Sequence, residues 1–226
     1  MKVLVAGPVQ SGKSSFIRYL DPNALNVEAK GADNKVYTVG MDLGSVSLNG
    51  YRVYLFGTPG LLRFSVMRDI VSSGSDGVIF IFDSAAPEKD TEAIQILNSI
   101  RKTLGPNIPI LYLANKQDLE EARFPEVVKI QNDLPENSKI VPTSTKTGIN
   151  IEESLKYLVN QIYDNYKSLI EILKDYENDL EGLREQLNKD PTEMKDFLNK
   201  LEVKRFIKLN RATKTYKVKN GLSFLT

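Results

Sequence analysis

The chain has 226 residues, a net charge of +1 at neutral pH and 41% hydrophobic residues, which is typical of one soluble globular domain with an appendage. It contains no cysteine and no histidine, which excludes disulfides, thiolate nucleophiles, palmitoylation and imidazole chemistry. Any reaction must therefore use carboxylates, amides, hydroxyls, lysines, backbone groups or a bound ion.

Neither end of the sequence indicates a targeting signal. The first residues, "MKVLVAGPVQ", pass directly from an expected strand into a glycine-rich motif, so we expect no signal peptide. The last residues offer no cysteine for prenylation. No apolar run approaches the roughly 20 residues that a membrane span needs. We therefore expect a cytoplasmic protein without a lipid anchor.

Short apolar segments alternate with helical patterns over the first three quarters of the chain. Strands are predicted at 2–7, in two halves of 44–56, and at 76–82, 108–114 and 139–142, and helices at 14–20, 87–104, 120–132 and 151–167. Asn49-Gly50, between the two halves of 44–56, is a strong hairpin signal. The alternation predicts an α/β fold with a mostly parallel six-stranded sheet and one antiparallel edge strand.

The pattern changes after about residue 167. Residues 168–190 have the spacing of one long helix, and Pro191 starts a second helix after Asp190. "VKRFIKLN" and "TKTYKVKN" then alternate like the two strands of a hairpin. We therefore divide the chain into a domain of residues 1–167 and a C-terminal extension of residues 168–226.

A phosphate-binding motif connects the first strand to the first helix. "GPVQSGKSS" at 7–15 matches G-x-x-x-x-G-K-[ST] in the strand–loop–helix context that the motif requires. Its backbone N–H groups and the positive end of the helix favour phosphate. Lys13 is predicted to reach the β- and γ-phosphates, and Ser14 to ligate Mg²⁺. The nucleotide-binding residues predicted here are Gly7, Gln10, Ser11, Gly12, Lys13, Ser14 and Ser15.

Two later motifs follow predicted strands, "LANKQDL" at 113–119 and "TSTKTG" at 143–148. Through its N-K-x-D sequence and the order of the three motifs, the chain resembles the Ras-like GTPases, P-loop proteins, over about residues 1–167. The resemblance implies that Asp118 reads guanine, Asn115 connects its loop to the phosphate loop, and the stem of Lys116 lies over the base. "TSTKTG" is similar to the family's S-A-K element, which implies purine contacts from Ser144, Thr145 and Lys146.

The resemblance also implies two switch segments, residues of about 30–42 and 57–72, whose order changes with the γ-phosphate. Thr38 matches the threonine that closes on Mg²⁺ and the γ-phosphate. Gly60 matches the glycine whose N–H binds the γ-phosphate. The catalytic residues predicted on this basis are Lys13, Thr38, Gly60 and Gln10.

The sequence departs from the family at the start of the second switch. Where the family has D-T-A-G-Q, residues 57–61 are G-T-P-G-L, so the acid that supports Mg²⁺ is absent. We expect Asp42 to replace that acid from the neighbouring strand, although an edge-strand aspartate facing water is an open alternative. The predicted metal ligands are Ser14, Thr38 and Asp42.

Two substitutions predict slow unaided hydrolysis. Leu61 stands where the family has the glutamine that orients the attacking water, and the side chain of Val9 would crowd the γ-phosphate. Gln10 is a candidate for the lost amide, and Arg63 or Arg68 for a compensating charge. For the two arginines, solvated positions on a helix are the favoured alternative.

Three functions stay open at this stage. The favoured one is a GTP/GDP switch with Mg²⁺, and a pseudo-GTPase that never cycles is its rival. "MDLG" and "FGTPG" resemble the prokaryotic branch with bacterial Mgl-type and archaeal members, which implies a Roadblock/LC7-type regulator. Residues 195–220 carry nine basic and two acidic residues, so the third function is a nucleic-acid adaptor, and the same basic patch would also suit anionic lipid. We favour a hairpin that simply packs back on the long helix.

Overall fold

The computed structural model describes residues 1–26, 28–30, 36–38, 41–48, 51–204 and 206–218, with the backbone alone for 28–30, 36–38 and 51. The chain divides into two compact units. The larger comprises residues 2–48 and 52–159, and the smaller comprises residues 160–226 with residues 1 and 49–51. A domain boundary at residue 167 stays a prediction. The Asn49-Gly50 turn lies outside the described residues.

The larger unit is built on one six-stranded sheet. Its strands are β1 (Lys2–Ala6), β4 (Asp42–Leu48), β5 (Tyr51–Gly57), β6 (Gly77–Asp83), β7 (Ile110–Asn115) and β8 (Ile140–Pro142), in the spatial order β4-β5-β1-β6-β7-β8. Five of them pair in parallel. Only two residues separate β4 from β5, a connection that only antiparallel strands allow. The predicted sheet with one antiparallel edge strand is confirmed.

Strand β6 forms the centre of the core. All of its residues are buried, as expected for a parallel strand that is covered on both faces. The rings of Phe80 and Phe82 meet edge to face with centroids 5.0 Å apart, and Phe80 lies 6.4 Å from the ring of Tyr112 on β7. The apolar residues of β6 therefore form the centre of the sheet, and the polar loops begin where the strands of the sheet end.

The helices of the larger unit start from recognisable signals. They are α1 (Lys13–Leu20), α2 (Ser65–Ser72), α3 (Asp90–Leu104), α4 (Pro125–Gln131) and the first part of α5 (Ile151–Asp175). The helix predicted at 120–132 is shorter than expected because Pro125 begins it, at the position where a missing N–H has no cost. A paired β2 (Glu28–Lys30) and β3 (Val36–Thr38) were not predicted. None of the helices described is long and apolar enough to cross a membrane.

The smaller unit consists of the rest of α5, α6 (Leu180–Gln186), α7 (Pro191–Val203), β9 (Ile207–Asn210) and β10 (Thr215–Val218). The single helix predicted over 168–190 is wrong. Asp179 accepts the N–H of Gly182 at 2.9 Å and caps α6, which interrupts the helical pattern. The predicted start at Pro191 is confirmed by a capping box between Asp190 and Glu193.

The terminal hairpin packs on α5 within this unit. The buried Tyr216 donates its hydroxyl to the carbonyl of Leu173 at 2.8 Å, and the ring of Phe206 lies 4.7 Å from that of Tyr166. On the opposite face, Lys208 and Lys217 are directly paired across the two strands, and both are exposed. The hairpin therefore has one apolar face that is covered and one basic face that is open to solvent.

Candidate functional site

The predicted site loops all follow the carboxyl ends of neighbouring strands. Strands β1, β6, β7 and β8 are consecutive and parallel, so their carboxyl ends lie side by side. Open α/β sheets bind ligands outside such ends. The phosphate loop follows β1, the N-K-x-D loop follows β7, and the "TSTKTG" loop follows β8.

The buried side chain of Asn115 joins these three loops. Its Nδ2 donates to the carbonyl of Ser11 at 2.8 Å, and its Oδ1 accepts the backbone N–H of Thr145 at 3.1 Å. Gly12 has φ 106°, and a Cβ there would lie 2.2 Å from Asn115 Nδ2. Only glycine therefore allows the phosphate loop to approach this amide.

Lys13 is the first residue of α1 and is 5% exposed. Its Nζ donates to the carbonyl of Pro8 at 2.6 Å. Burial lowers the pKa of Lys13 to about 8, against the raising influence of the Asp42 carboxylate. A Cβ at Gly60 would lie 2.8 Å from this Nζ and 2.7 Å from the backbone N of Val9. The glycine of the second switch segment thus lies directly against the phosphate loop.

Asp42 faces the same loop from the edge strand. It is 2% exposed, so the alternative of an aspartate facing water is wrong. The hydroxyl of Ser14 donates to Asp42 Oδ2 at 2.8 Å. A Cβ at Gly57 would lie 2.7 Å from that oxygen and 2.8 Å from Asp42 Cβ. The carboxylate of Asp42 therefore fills the space that a side chain at position 57 would need.

These groups have the chemistry of a Mg²⁺ site. The Ser14 hydroxyl and the Asp42 carboxylate are adjacent oxygen donors, the ligand type that Mg²⁺ prefers. Thr58, which follows Gly57, is also buried, and its Oγ1 makes no hydrogen bond to any described residue. No group of three or more acidic side chains that could hold a metal occurs in the described ranges. We expect the further ligands to include water and phosphate oxygens.

The purine side of the site carries one oriented carboxylate. The hydroxyl of Ser144 donates to Asp118 Oδ1 at 2.6 Å, and the Lys146 ammonium lies 3.8 Å from Oδ2. The hydrogen bond from Ser144 lowers the pKa of Asp118, whereas desolvation opposes it and Lys146 adds to it. Asp118 is therefore ionised at neutral pH and can only accept hydrogen bonds.

A model of the Ras family matches residues 2–164 of the chain. The chain belongs to the Ras family. It is 26% identical over 172 residues to Ras-related protein RabZ of Dictyostelium discoideum, covering 74% of this chain and 73% of that protein. It is equally 26% identical over 172 residues to human Ras-related protein Rab-4A, covering 74% and 76%. Uncharacterized protein MJ1339 of Methanocaldococcus jannaschii is 29% identical over 134 residues, covering 58% and 80%.

The other predicted residues of this Ras-family site are placed as follows. Gln10 is exposed and has φ 62°, a left-handed backbone that is uncommon for a residue with a side chain. Ser15 is exposed, whereas Gly7 is buried where β1 ends. Thr38 ends β3, but its side chain lies outside the described part of the structure, so its predicted contact with the site stays a prediction.

The two arginines that follow Gly60 differ in their surroundings. Arg63 is exposed, with its guanidinium 5.1 Å from the centroid of the Phe64 ring, which confirms the solvated position predicted for it. Arg68 on α2 is only 1% exposed, so the same prediction for Arg68 is wrong. The helix α2 and the turn before it enclose this side chain.

Sequence reasoning missed Asp83, the last residue of β6. Its Oδ2 accepts the ammonium of Lys116 at 2.6 Å and that of Lys89 at 3.0 Å, and the residue is 2% exposed. Lys116 has φ 71°, so this ion pair holds a lysine on a strained backbone. The sequence did contain a signal for it, because Asp83 is an acidic residue at the end of an apolar strand that pairs with the strand before the N-K-x-D loop.

The pKa of Lys13 predicts a pH-dependent affinity for nucleoside triphosphates. Burial lowers that pKa to about 8, so the free protein loses the ammonium proton above pH 8, and phosphate binding must then restore it. Affinity for GTP should therefore fall about tenfold between pH 7 and pH 9. Titration calorimetry at both pH values measures this effect. Guanosine, which has the base without phosphates, is the control, and an equal loss for guanosine would contradict the role of Lys13.

Proposed function

We propose that this Ras-family chain is a GTP/GDP switch that uses Mg²⁺ and hydrolyses GTP slowly unless a partner stimulates it. The observation that carries the proposal is the buried Asn115 amide, which ties the phosphate loop to the "TSTKTG" loop. One side of this joint offers a lysine and backbone amides, which suit phosphates. The other side offers the Asp118 carboxylate, which suits the N–H groups of guanine.

Each group then has a defined task. The backbone amides of residues 7–15 and the ammonium of Lys13 bind the phosphates. Asp118, oriented by Ser144, selects the base. Ser14 and Asp42 hold Mg²⁺, which when bound offsets negative charge on the β- and γ-phosphates. Thr38 of the first switch segment is proposed as the further Mg²⁺ ligand.

Slow hydrolysis follows from the side chains near Gly60. Leu61 has no polar group to orient water, and Val9 lies beside Gly60 in the phosphate loop. Gln10 is exposed, and its left-handed backbone is a strain that functional sites often carry. We propose that the side-chain amide of Gln10 orients the attacking water in place of Leu61, and that Arg63 takes no part in hydrolysis.

Gln10→Ala should lower single-turnover GTP hydrolysis about tenfold from an intrinsic rate on the order of 10⁻⁴ s⁻¹, and leave GTP affinity unchanged. The reason is that the backbone binds the phosphates while the amide acts only on water. Leu61→Gln should raise the rate, because it returns an amide to the family's position. Arg63→Ala is the control and should behave like the parent. An unchanged rate in Gln10→Ala would show that Gln10 does not replace the glutamine.

The rival interpretation is a pseudo-GTPase that binds nucleotide for structure alone. Leu61, Val9 and Gly57 are the residues that favour it, because each differs from what hydrolysis in the family uses. Phosphate release over many turnovers separates the two. The switch must release more than one equivalent of phosphate, with or without candidate partners. A pseudo-GTPase releases none.

We further propose that the chain belongs to the prokaryotic branch with archaeal and bacterial Mgl-type members. The similarity to the Methanocaldococcus jannaschii protein supports this origin, and the pairing of Asp42 with Gly57 supports a branch that differs from animal Ras. A Roadblock/LC7-type regulator and a place in the cytoplasm are part of the same proposal. The regulator rests on the resemblance of "MDLG" and "FGTPG" to that branch.

For the extension we propose a structural role, in which the hairpin completes a small core with α5. The contacts of Tyr216 and Phe206 within the smaller unit support this role. The pairing of Lys208 with Lys217 favours a second role, because like charges directly opposite each other are destabilising. An anionic partner such as nucleic acid or anionic lipid would relieve that repulsion, and this remains the less favoured candidate.

A further inference from the structure

Arg68 is the largest of the fully buried side chains in the described residues, and it is a cation. Its Nη1 donates to the carbonyls of Pro59 at 3.1 Å and Leu61 at 3.4 Å, and its Nη2 donates to that of Leu62 at 3.4 Å. No carboxylate of the described residues forms an ion pair with it. Its Nε is buried without a hydrogen-bond partner among them.

Such a group is unusual on physical grounds. A buried charge is normally paired with an opposite charge, because removing an unpaired charge from water is unfavourable. Burial accordingly lowers the pKa of Arg68, although a guanidinium stays protonated at any physiological pH. The charge is compensated by the partial negative charge of three carbonyls and, without an ion pair, by the carboxylates of Asp69 and Glu92. The hydrogen bonds of this buried cation thus all go to one short turn.

That turn is the segment that follows Gly60. The three carbonyls belong to residues on both sides of Gly60. The guanidinium of Arg68, which extends from α2, therefore connects the two halves of the turn. Gly60 in turn lies against the phosphate loop, close to Lys13 Nζ and Val9 N. The position of the Gly60 amide therefore depends on two supports, the phosphate loop on one side and Arg68 on the other.

The charge of Arg68 is also felt at the phosphate loop. It lowers the pKa of Lys13, after the larger influences of burial, Asp42, Glu92 and Lys89. Glu92 on α3 acts on both cations in the opposite direction. The structural connection between the two cations is the turn at Gly60, which Arg68 holds by hydrogen bonds and which lies against the phosphate loop.

We propose that Arg68 is a positioning residue for the triphosphate state, whose forked hydrogen bonds hold the turn at residues 59–62 so that the Gly60 amide faces the γ-phosphate. The proposal rests on the GTP/GDP switch proposed above. It assigns to Arg68 the preference for GTP over GDP, and not the overall strength of nucleotide binding. Arg68 acts through Gly60 and touches neither the base nor the reacting atoms.

The test compares Arg68→Lys and Arg68→Met with the control Arg63→Met. The control removes an exposed arginine from the same segment. The measured quantity is the ratio of affinities for a non-hydrolysable GTP analogue and for GDP, both with Mg²⁺. Loss of the hydrogen bonds from the two terminal nitrogens should lower this ratio about tenfold or more in both Arg68 variants. Methionine has no donor, and lysine keeps the charge but lacks the planar guanidinium. Arg63→Met should keep the parental ratio.

A parental ratio in both variants would overturn the proposal, as would a parental ratio in Arg68→Lys alone. A lower melting temperature with an unchanged ratio would mean that Arg68 is only structural. Hydrogen exchange of the amides at 60–62 in the unaltered protein adds a reading that needs no variant. Slower exchange with the GTP analogue than with GDP is required, and equal exchange would overturn the proposal. If the unaltered protein binds neither nucleotide, the proposed function itself fails.

Discussion

Asp42→Gly should lower the Mg²⁺-dependent affinity for GTP by at least about tenfold, and adding Gly57→Asp should restore most of it. The reason is that the Asp42 carboxylate fills the space of a side chain at position 57, with its Oδ2 only 2.7 Å from where a Cβ would be. We therefore expect a carboxylate carried by either strand to reach the hydroxyl of Ser14. Glycine is needed at position 42 in the double variant, because a Cβ there would lie 2.8 Å from the new one.

The single variant Gly57→Asp is the matched control. It forces two carboxylates into a space for one, so its free energy of unfolding should fall by about 3 kcal/mol or more, which the double variant recovers. Affinities for GTP are measured by fluorescence titration with Mg²⁺ and with a chelator. Equal affinities of Asp42→Gly and the parent in Mg²⁺ would remove Asp42 from the metal site. Failure of the double variant to recover affinity, although folded, would refute the exchange between strands.

Asp118→Asn should reduce GTP affinity by about a hundredfold or more, because two hydrogen bonds to a charged acceptor are lost. Its pKa is lowered by the Ser144 hydrogen bond, so the parent offers a full negative charge to the two N–H groups of guanine. The asparagine amide instead donates one hydrogen bond. Xanthine has a carbonyl where guanine has its amino group, so the variant should gain affinity for xanthosine triphosphate.

Ser144→Ala controls for the orientation of this carboxylate. The hydroxyl holds Asp118 Oδ1 at 2.6 Å, and its removal should weaken GTP binding by a smaller factor of about five to ten. It should not change the preference for guanine over xanthine. Competition titration with the two triphosphates gives both results. An Asp118→Asn variant that keeps the parental preference would show that another group reads the base.

The sheet and the site loops could be predicted because each has a local signal. Continuous apolar runs gave the parallel strands, and the motifs that follow β1, β7 and β8 are defined by glycine, lysine and asparagine at fixed spacing. The placement of Asp42 beside Ser14 and Gly57 was also within reach, since the missing acid at position 57 suggested a substitute on the neighbouring strand. In each case a residue type and its neighbours in the chain carry the information.

The features that were missed depend on contacts between distant residues. Arg68 is buried because a turn nine residues earlier folds over it, and an arginine in a mixed helical pattern is normally solvated. Asp83 belongs to the candidate site only because Lys116, which follows the next strand, reaches it. The break after Asp175 depends on one cap at Asp179, where the competing helical pattern was long and regular. Hydrophobic periodicity alone cannot predict that a capping residue will interrupt a helix whose pattern continues on both sides.

Competition between GTP and ATP for the purified chain, with Mg²⁺ present, tests the central claim most directly. GTP and GDP should displace a fluorescent guanine nucleotide at concentrations at least about a hundredfold lower than ATP requires, because Asp118 accepts hydrogen bonds that adenine cannot donate. A chain that prefers ATP, or that binds no nucleotide with Mg²⁺, would contradict the account.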